Sequence, residues 1–314
     1  DKLKYIYHST DKNKLVQVID EVPNPNGFKD SANNEVDDYK YDDFGNMESD
    51  ANKGITRISY NHLNLPIEIT FAETKHIRYL YNAAGQKISK TVTDGSAANI
   101  TEYLDGYQYI KPGADNYKLH FFPHAEGYVN TIGGNNYVFN YTDHLGNIRL
   151  SYGLDRGVLT ILEENNYYPF GLKHENYNVS KKQYEIANSN PELVICNNCD
   201  YKYKYNGKEW QDELGLNMTA MDYRQYDNAL GRFNGMDALA ELMPDITGYH
   251  FGFNNPVYWG DPSGLKPSSN MSALQLANTA FSNTEEGTNS YWVNDGVGNF
   301  DYAGDGFGGG SSNL

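Results

Sequence analysis

The side chains of this chain that could do chemistry are few, and their spacing argues against most of it. Cys196 and Cys199 stand in ICNNCD, a single CxxC. That motif supplies two of the four ligands of a structural zinc, and no histidine lies nearer than His174 and His250. A redox pair would want a thioredoxin-like βαβ context, which the pattern lacks, so a local disulfide or two idle thiols fit better. The eight histidines, His124, His144 and His174 among them, form no HExxH motif and serve no nucleophile elbow. GDGFGGG near the C-terminus lacks the GK[ST] ending of a phosphate loop and reads as a flexible glycine tract. DGVGNFDYAGDG offers Asp295, Asn299, Asp301 and Asp305, whose oxygens could take Ca2+, without the spacing of an EF-hand loop or its terminal Glu. No other cofactor is implied.

The elements that would position these groups are legible in composition. The chain has 314 residues, with 28 Tyr against 13 Phe and 3 Trp. Tyrosine suits a sheet with one dry and one wet side, because its ring packs while its hydroxyl finds a polar partner. Together with abundant Gly and Asn, this predicts strands and turns rather than helices. The formal net charge of -16 would repel a phosphate backbone, which disfavours nucleic acid and reads otherwise as solubility. No apolar run approaches the roughly 18 residues of a membrane-spanning helix. The opening DKLKYIYHST is neither a signal peptide nor an initiator sequence, and it enters directly on a strand-like YIY. The chain reads as a piece of something longer.

The strongest internal signal is a repeat. Tyr39, Tyr41, Asp42 and Gly45 form YKYDDFGNM, Tyr60 opens YNHLNLPIEI, and Tyr79, Tyr81, Asn82 and Gly85 form YLYNAAGQKI. Looser copies hold Tyr5 and Tyr7, Tyr107 and Tyr109, and Tyr203 and Tyr205, and FNYTDHLGNIRLSY adds Tyr141, Asp143, Gly146 and Asn147. Alternating Y-x-Y puts two rings on one face of a strand. The following D/N-x-x-G allows a tight turn, since Asp and Asn bond their own backbone and Gly accepts positive φ. Strands such as QKISKTVT then return, alternating apolar and polar. A lone hairpin is marginal in water, so tandem hairpins imply one continuous curved sheet. From about Asn188 the texture changes, and NSNPELVICNNCD reads as an insertion or long loop. After Leu265 comes a 49-residue Gly/Ser/Asn-rich tail in which only ALQLANTAF has helical character.

These units resemble YD repeats. DHLGNIRLSY, EENNYYPFGLKHENYN, the stretch from YNGKEWQDELGL to GRFNGMDALAEL, and NNPVYWGDPSGL resemble, in order, the RHS repeat-associated core of Bacteroidota-type proteins. The resemblance covers most of residues 1–265. It implies an all-β fold of stacked antiparallel hairpins, a curved or spiralling sheet forming part of a β-shell, with a C-terminal core plug and a mostly irregular tail. The expected division is residues 1–187 for the repeat sheet, 188–265 for the core segment that closes the shell, and 266–314 for the variable tail. Asp143, Gly146, Gly171, Gly207, Gly231, Arg232, Phe233, Asp261, Pro262, Gly264 and Leu265 are the structural motif residues it marks.

Some shells of this kind resemble self-cleaving aspartyl proteases that cut just after DPxGL, which here would be the Leu265–Lys266 bond. Such chemistry needs two carboxylates close enough to share a proton. Asp237 matches one of them, and Arg224 matches the arginine that precedes the other. The residue after that arginine is Gln225, which cannot exchange a proton, and Ala238 stands where the family commonly has Pro. The dyad is broken unless Asp222 or Asp227 moves in; otherwise Asp237 and Asp261 cap turns. The function expected from the resemblance is therefore a non-enzymatic structural cap or carrier, the RHS-core end of an exported shell or a remnant of a polymorphic toxin. The alternatives are a surface or secretion- and gliding-machinery binding module, and an autoprotease. A protein partner is expected, either the remainder of the shell or the export machinery of the outer membrane, with secretion or surface location by the type IX route.

Overall fold

The computed structural model describes residues 1–30, 37–175, 180–186, 191–196, 199 and 201–268, and the backbone alone at 187, 190, 290–294 and 300–305. The architecture is all-β. Hairpin β1 (Leu3–Tyr7) with β2 (Leu15–Asp20) and hairpin β3 (Tyr39–Tyr41) with β4 (Met47–Asp50) come first. An eleven-stranded antiparallel sheet follows. It contains β5 (Arg57–Tyr60), β6 (Pro66–Ala72), β7 (Lys75–Tyr81), β8 (Lys87–Asp94), β9 (Ala97–Leu104), β10 (Tyr107–Pro112), β11 (Lys118–His124), β12 (Gly127–Asn130), β13 (Asn136–Thr142), β14 (Ile148–Asp155) and β15 (Val158–Glu164). Every strand pairs with its neighbour in sequence, and the sheet stays open with β5 and β15 at its edges.

Hairpin β16 (Lys182–Ala187) with β17 (Asn190–Ile195) comes next, so the long loop expected from Asn188 is instead a strand pair that straddles that point. Four short strands then make a second sheet: β18 (Glu209–Gln211), β19 (Met218–Ala220), β20 (Gln225–Asp227) and β21 (Arg232–Phe233). Within the tail, β22 (Ser290–Asn294) pairs with β23 (Phe300–Asp305), which composition did not predict. ALQLANTAF and the Ca2+ donors Asp295 and Asn299 lie outside the described residues, as do the side chains of Asp301 and Asp305.

One turn recurs. The side-chain oxygen Oδ1 of Asp42, Asn61, Asn82 and Asp143 accepts the amide hydrogens two and four residues on, at 2.8–3.1 Å. The residue three on is left-handed in each, with φ of 83° at Gly45, 58° at Asn64, 79° at Gly85 and 76° at Gly146. Asn64 shows what the position demands, since Asn is the residue that best replaces Gly there. A β-bulge follows each turn, at Tyr41, Tyr60, Tyr81 and Thr142. At Tyr81 the bulge leaves Ile88 between the Leu80–Ser89 and Tyr81–Lys87 pairs. It thereby turns Lys87 and Lys90, three apart, to the same face. Strict alternation with Ile88, Lys90 and Val92 inward would have put Lys87 in water, yet Ile88 is the exposed residue and Lys87 turns inward beside the buried Lys90.

That face of the sheet is covered by residues 201–268, and the apolar core lies between them. Ile58, Ile69, Ile77 and Tyr79 pack with Leu216, Met218 and Leu230, while Phe121, Tyr128 and Val138 meet Tyr201 and Tyr203. The opposite face is open. It carries Leu80, Leu104, Tyr137, Tyr141 and Leu159 exposed, with ring pairs Tyr107–Phe122 at 5.3 Å and Phe139–Tyr152 at 5.6 Å. Tyr141 lies there because Thr142, one residue on, occupies the place that Tyr41, Tyr60 and Tyr81 hold before the turn, and a one-residue offset reverses the face.

Gly171 and Gly157 separate backbone strain from packing. Both are left-handed, at φ of 83° and 85°. A Cβ on Gly157 meets nothing within 4 Å, whereas on Gly171 it would lie 2.7 Å from both Asn228 Nδ2 and the Tyr205 ring. Urea denaturation should show Gly157→Ala costing about 1–2 kcal/mol. Gly171→Ala should cost roughly a further 1–3 kcal/mol for overpacking. Equal losses would contradict this packing.

Candidate functional site

The sequence motifs converge at the guanidinium of Arg224, which sits just before β20 and is buried. Its Nη2 donates to Asp237 Oδ2 at 2.7 Å and lies 3.5 Å from Asp261 Oδ2. Nη1 donates to the Gly248 carbonyl at 2.8 Å, and Nε donates to the Gly264 carbonyl. The Phe233 ring lies 3.7 Å below. Burial lowers the Arg224 pKa to about 10, even though Asp237 and Asp261 favour its charge. Burial raises the Asp261 carboxyl, with Arg224 offsetting part of that.

Both carboxylates also close turns. Asp237 Oδ1 accepts from the Leu239 amide at 2.8 Å. Asp261 Oδ1 accepts from the amides of Gly264 and Leu265, at 2.9 and 3.1 Å, so DPSGL is a further version of the recurrent turn, with Gly264 at φ 73°. Leu265 and Lys266 follow it, the first half-buried and the second exposed. Pro262 contributes its carbonyl to the Asp222 amide at 3.3 Å.

The proton-sharing partner of Asp237 is not supplied by the two aspartates considered for it. Asp222 is exposed and takes Lys208 at 2.6 Å. Asp227 pairs with Lys53 at 3.0 Å and caps its own turn through the Ala229 amide. Gln225 is buried, and its Oε1 has no hydrogen-bond partner among the described residues. What the structure places beside Asp237 is Asp261, across the arginine.

The remaining motif residues join the same network. Asn147 Nδ2 donates to Asp143 Oδ2 at 2.9 Å, Asn206 donates from both its amide and Nδ2 to Asn147 Oδ1, and the Asp261 amide donates to Asn206 Oδ1 at 3.2 Å. DHLGN, NGKE and DPSGL are thus linked hand to hand, with Gly146 and Gly207 shaping their turns. Tyr226 donates to the Phe170 carbonyl at 2.9 Å and Asn228 to the Gly171 carbonyl at 3.1 Å, tying YYPFG to the strand that precedes GRF. Gly231 leaves room for the Phe170 ring, and Arg232 donates to the Asn13 carbonyl at 2.9 Å while lying over Tyr249.

Sequence reasoning missed a second buried cluster. Glu209 of NGKE accepts from Lys87 at 2.5 Å, from Lys90 at 2.7 Å and from the Tyr103 hydroxyl at 2.8 Å, while Lys90 also reaches Glu213 at 2.5 Å. Burial opposes the charge of Glu209, but the two lysines hold its carboxyl well below the usual range. Glu163 is similar: against the cost of burial, Lys204 and Lys173 hold it at about 2. The one available signal was an acidic residue inside a motif; lysines in a strand look solvated until the bulge is known. Cys196 and Cys199 form a disulfide, with Cα atoms 5.3 Å apart. No group of three or more His, Cys, Asp or Glu able to hold a metal occurs among the described residues.

No family model matches the chain, and no curated protein does. Solved structures do. The crystal structure of TcdB2-TccC3-Cdc42 is 18% identical over 72% of this chain with a TM-score of 0.55, and a Photorhabdus luminescens Tc holotoxin pore carrying a TccC3 mutation gives 18%, 72% and 0.56. TcdB2-TccC3 without its hypervariable C-terminal region gives 16% over 84%, with a TM-score of 0.53. This chain spans 11% of the first two chains and 13% of the third. This chain shares the all-β fold of the matched part of those structures.

Two outcomes follow. Arg224→Met should cost about 3–5 kcal/mol at neutral pH, because it leaves two buried carboxylates unpaired. Those carboxyls would then protonate more readily in the folded than in the unfolded chain, so the deficit should shrink as pH falls from 7 to 5, read from urea midpoints. Glu163 behaves oppositely. Its folded pKa of about 2 lies below the unfolded value, so its contribution is complete above the unfolded pKa and is lost as pH falls through about 2. Glu163→Gln should flatten that acid limb, by about 3 kcal/mol in all.

Proposed function

We propose that this chain is the closing end of an exported β-shell, acting as a structural cap and carrier rather than as an enzyme. The observation that carries this reading is the mutual engagement of the motifs. Arg224, Asp237, Asp261, Asn206, Asn147 and Asp143 bond to one another across the covered face of the eleven-stranded sheet. The side chains best suited to proton transfer therefore hold turns and a cation. The partner implied is the remainder of the shell, a reading supported by neighbours that are several times longer and are named as TcdB2-TccC3 assemblies. Export to the cell surface, the type IX route and descent from a polymorphic toxin belong to the same proposal. A second reading, a surface binding module, is favoured by the open sheet face with its stacked rings.

Intact mass separates cap from protease. After prolonged incubation between pH 5 and 8, the chain should remain one species of 35.5 kDa. Two pieces divided at Leu265–Lys266, restored to one by Asp237→Asn, would replace the structural reading with self-cleavage. Electron microscopy of the longer precursor should place these residues at one end of a hollow shell; an open extended sheet would refute the cap.

A further inference from the structure

Among the described residues, two adjoining cavities gather more lysines than carboxylates. A cavity of about 290 Å³ lies beside Glu163 and Trp210 and adjoins a second of about 350 Å³; the two share Leu172, Glu175, Trp210 and Asn217. Six lysines line them: Lys29, Lys53, Lys173, Lys181, Lys202 and Lys204. Four are paired, Lys173 and Lys204 with the one carboxylate of Glu163, Lys202 with Asp212 at 2.9 Å and Lys53 with Asp227 at 3.0 Å. Lys29 and Lys181 have no ion pair among the described residues, and the one carboxylate left over, Glu175, is exposed. In a chain of net charge -16 this is a concentration of positive potential, walled by Tyr167, Tyr201, Tyr205 and Trp210. Together the cavities fall within the roughly 300–1,000 Å³ of small-ligand sites.

We propose that the two cavities form one binding site for an acidic oligosaccharide, a short chain of sugar carboxylates. Sugar rings lie against Trp210, which both cavities share, and the carboxylates meet Lys181 on one side and Lys29 on the other. The edge of β18 argues against a peptide strand here. It is already bonded, through the Trp210 amide to the Lys202 carbonyl at 2.8 Å and the Tyr203–Glu209 bridge, so a peptide has no free ladder to join. Burial, and after it the neighbouring charge of Lys173, keep the Lys181 ammonium below its ordinary pKa, so an arriving carboxylate relieves a charge the protein leaves under-compensated.

Calorimetric titration of the whole chain with trigalacturonate tests this, with maltotriose as the uncharged counterpart. Trigalacturonate should bind, more weakly as salt rises, and maltotriose should not. Lys29→Gln and Lys181→Gln leave no carboxylate stranded and should each weaken binding by roughly tenfold without lowering the melting temperature. Glu175→Gln removes the opposing charge and should tighten it. The proposal fails if trigalacturonate does not bind the native chain at about 10 mM. It also fails if the lysine variants bind it unchanged, or if hexaglutamate binds equally well. None of these results depends on the cap reading, which intact mass and microscopy decide separately.

Discussion

A side-chain oxygen at the first residue of a tight turn is the constraint from which this structure is built. Asp42, Asn61, Asn82, Asp143 and Asp261 each fold that oxygen back onto the amides that follow. The same geometry sets the left-handed residue before the returning strand, and in the sheet hairpins it is followed by the bulge. The bulge re-aims side chains by one position, and so decides which residues face the closing segment. A local bond of this kind is worth only about 1 kcal/mol. Its effect is larger because repetition makes each of these four hairpins present its bulge at the same place.

The seam between sheet and closing segment is unusual in using charge where an apolar contact would serve. Glu209 reaches the sheet through two lysines and a tyrosine hydroxyl, and Glu163 reaches the closing segment through Lys204. Buried pairs contribute little net stability against well-packed apolar residues, but breaking one is costly because the survivor is stranded. Such a seam tolerates one register and penalises others. A sheet of near-identical hairpins needs that discrimination, since apolar stripes alone would allow the closing segment to slip by a hairpin.

Much of the fold was legible because it is local. Y-x-Y followed by D/N-x-x-G announces both strand and turn, and the order of the C-terminal motifs pointed to the shell. What was not legible depended on register or on distance. Lys87 looks solvated in QKISKTVT until the bulge at Ile88 is known, and Tyr141 looks like its counterparts until Thr142 is seen to hold their place. The strand Asn190–Ile195 was hidden because Asn and Pro at its start read as loop. At the candidate site the sequence singled out Arg224, Asp237 and Asp261, but their meeting at one guanidinium joins residues 13 to 37 positions apart. No spacing rule reports such a contact.

The strictly sequential order of the eleven strands has a kinetic consequence. Each strand can dock on its predecessor as soon as it is made, with small loops to close at every step. The contacts that cover the sheet are different: Tyr79 meets Gln211 across 132 positions, and Tyr249 meets Gly45 across 204. A chain emerging N-terminus first would therefore lay down its wall strand by strand with one side still bare. Residues 201–268 arrive last and dry that side in a single late step. Until then that face of the wall stays wet, and the lysines it carries wait for the carboxylates that will compensate them.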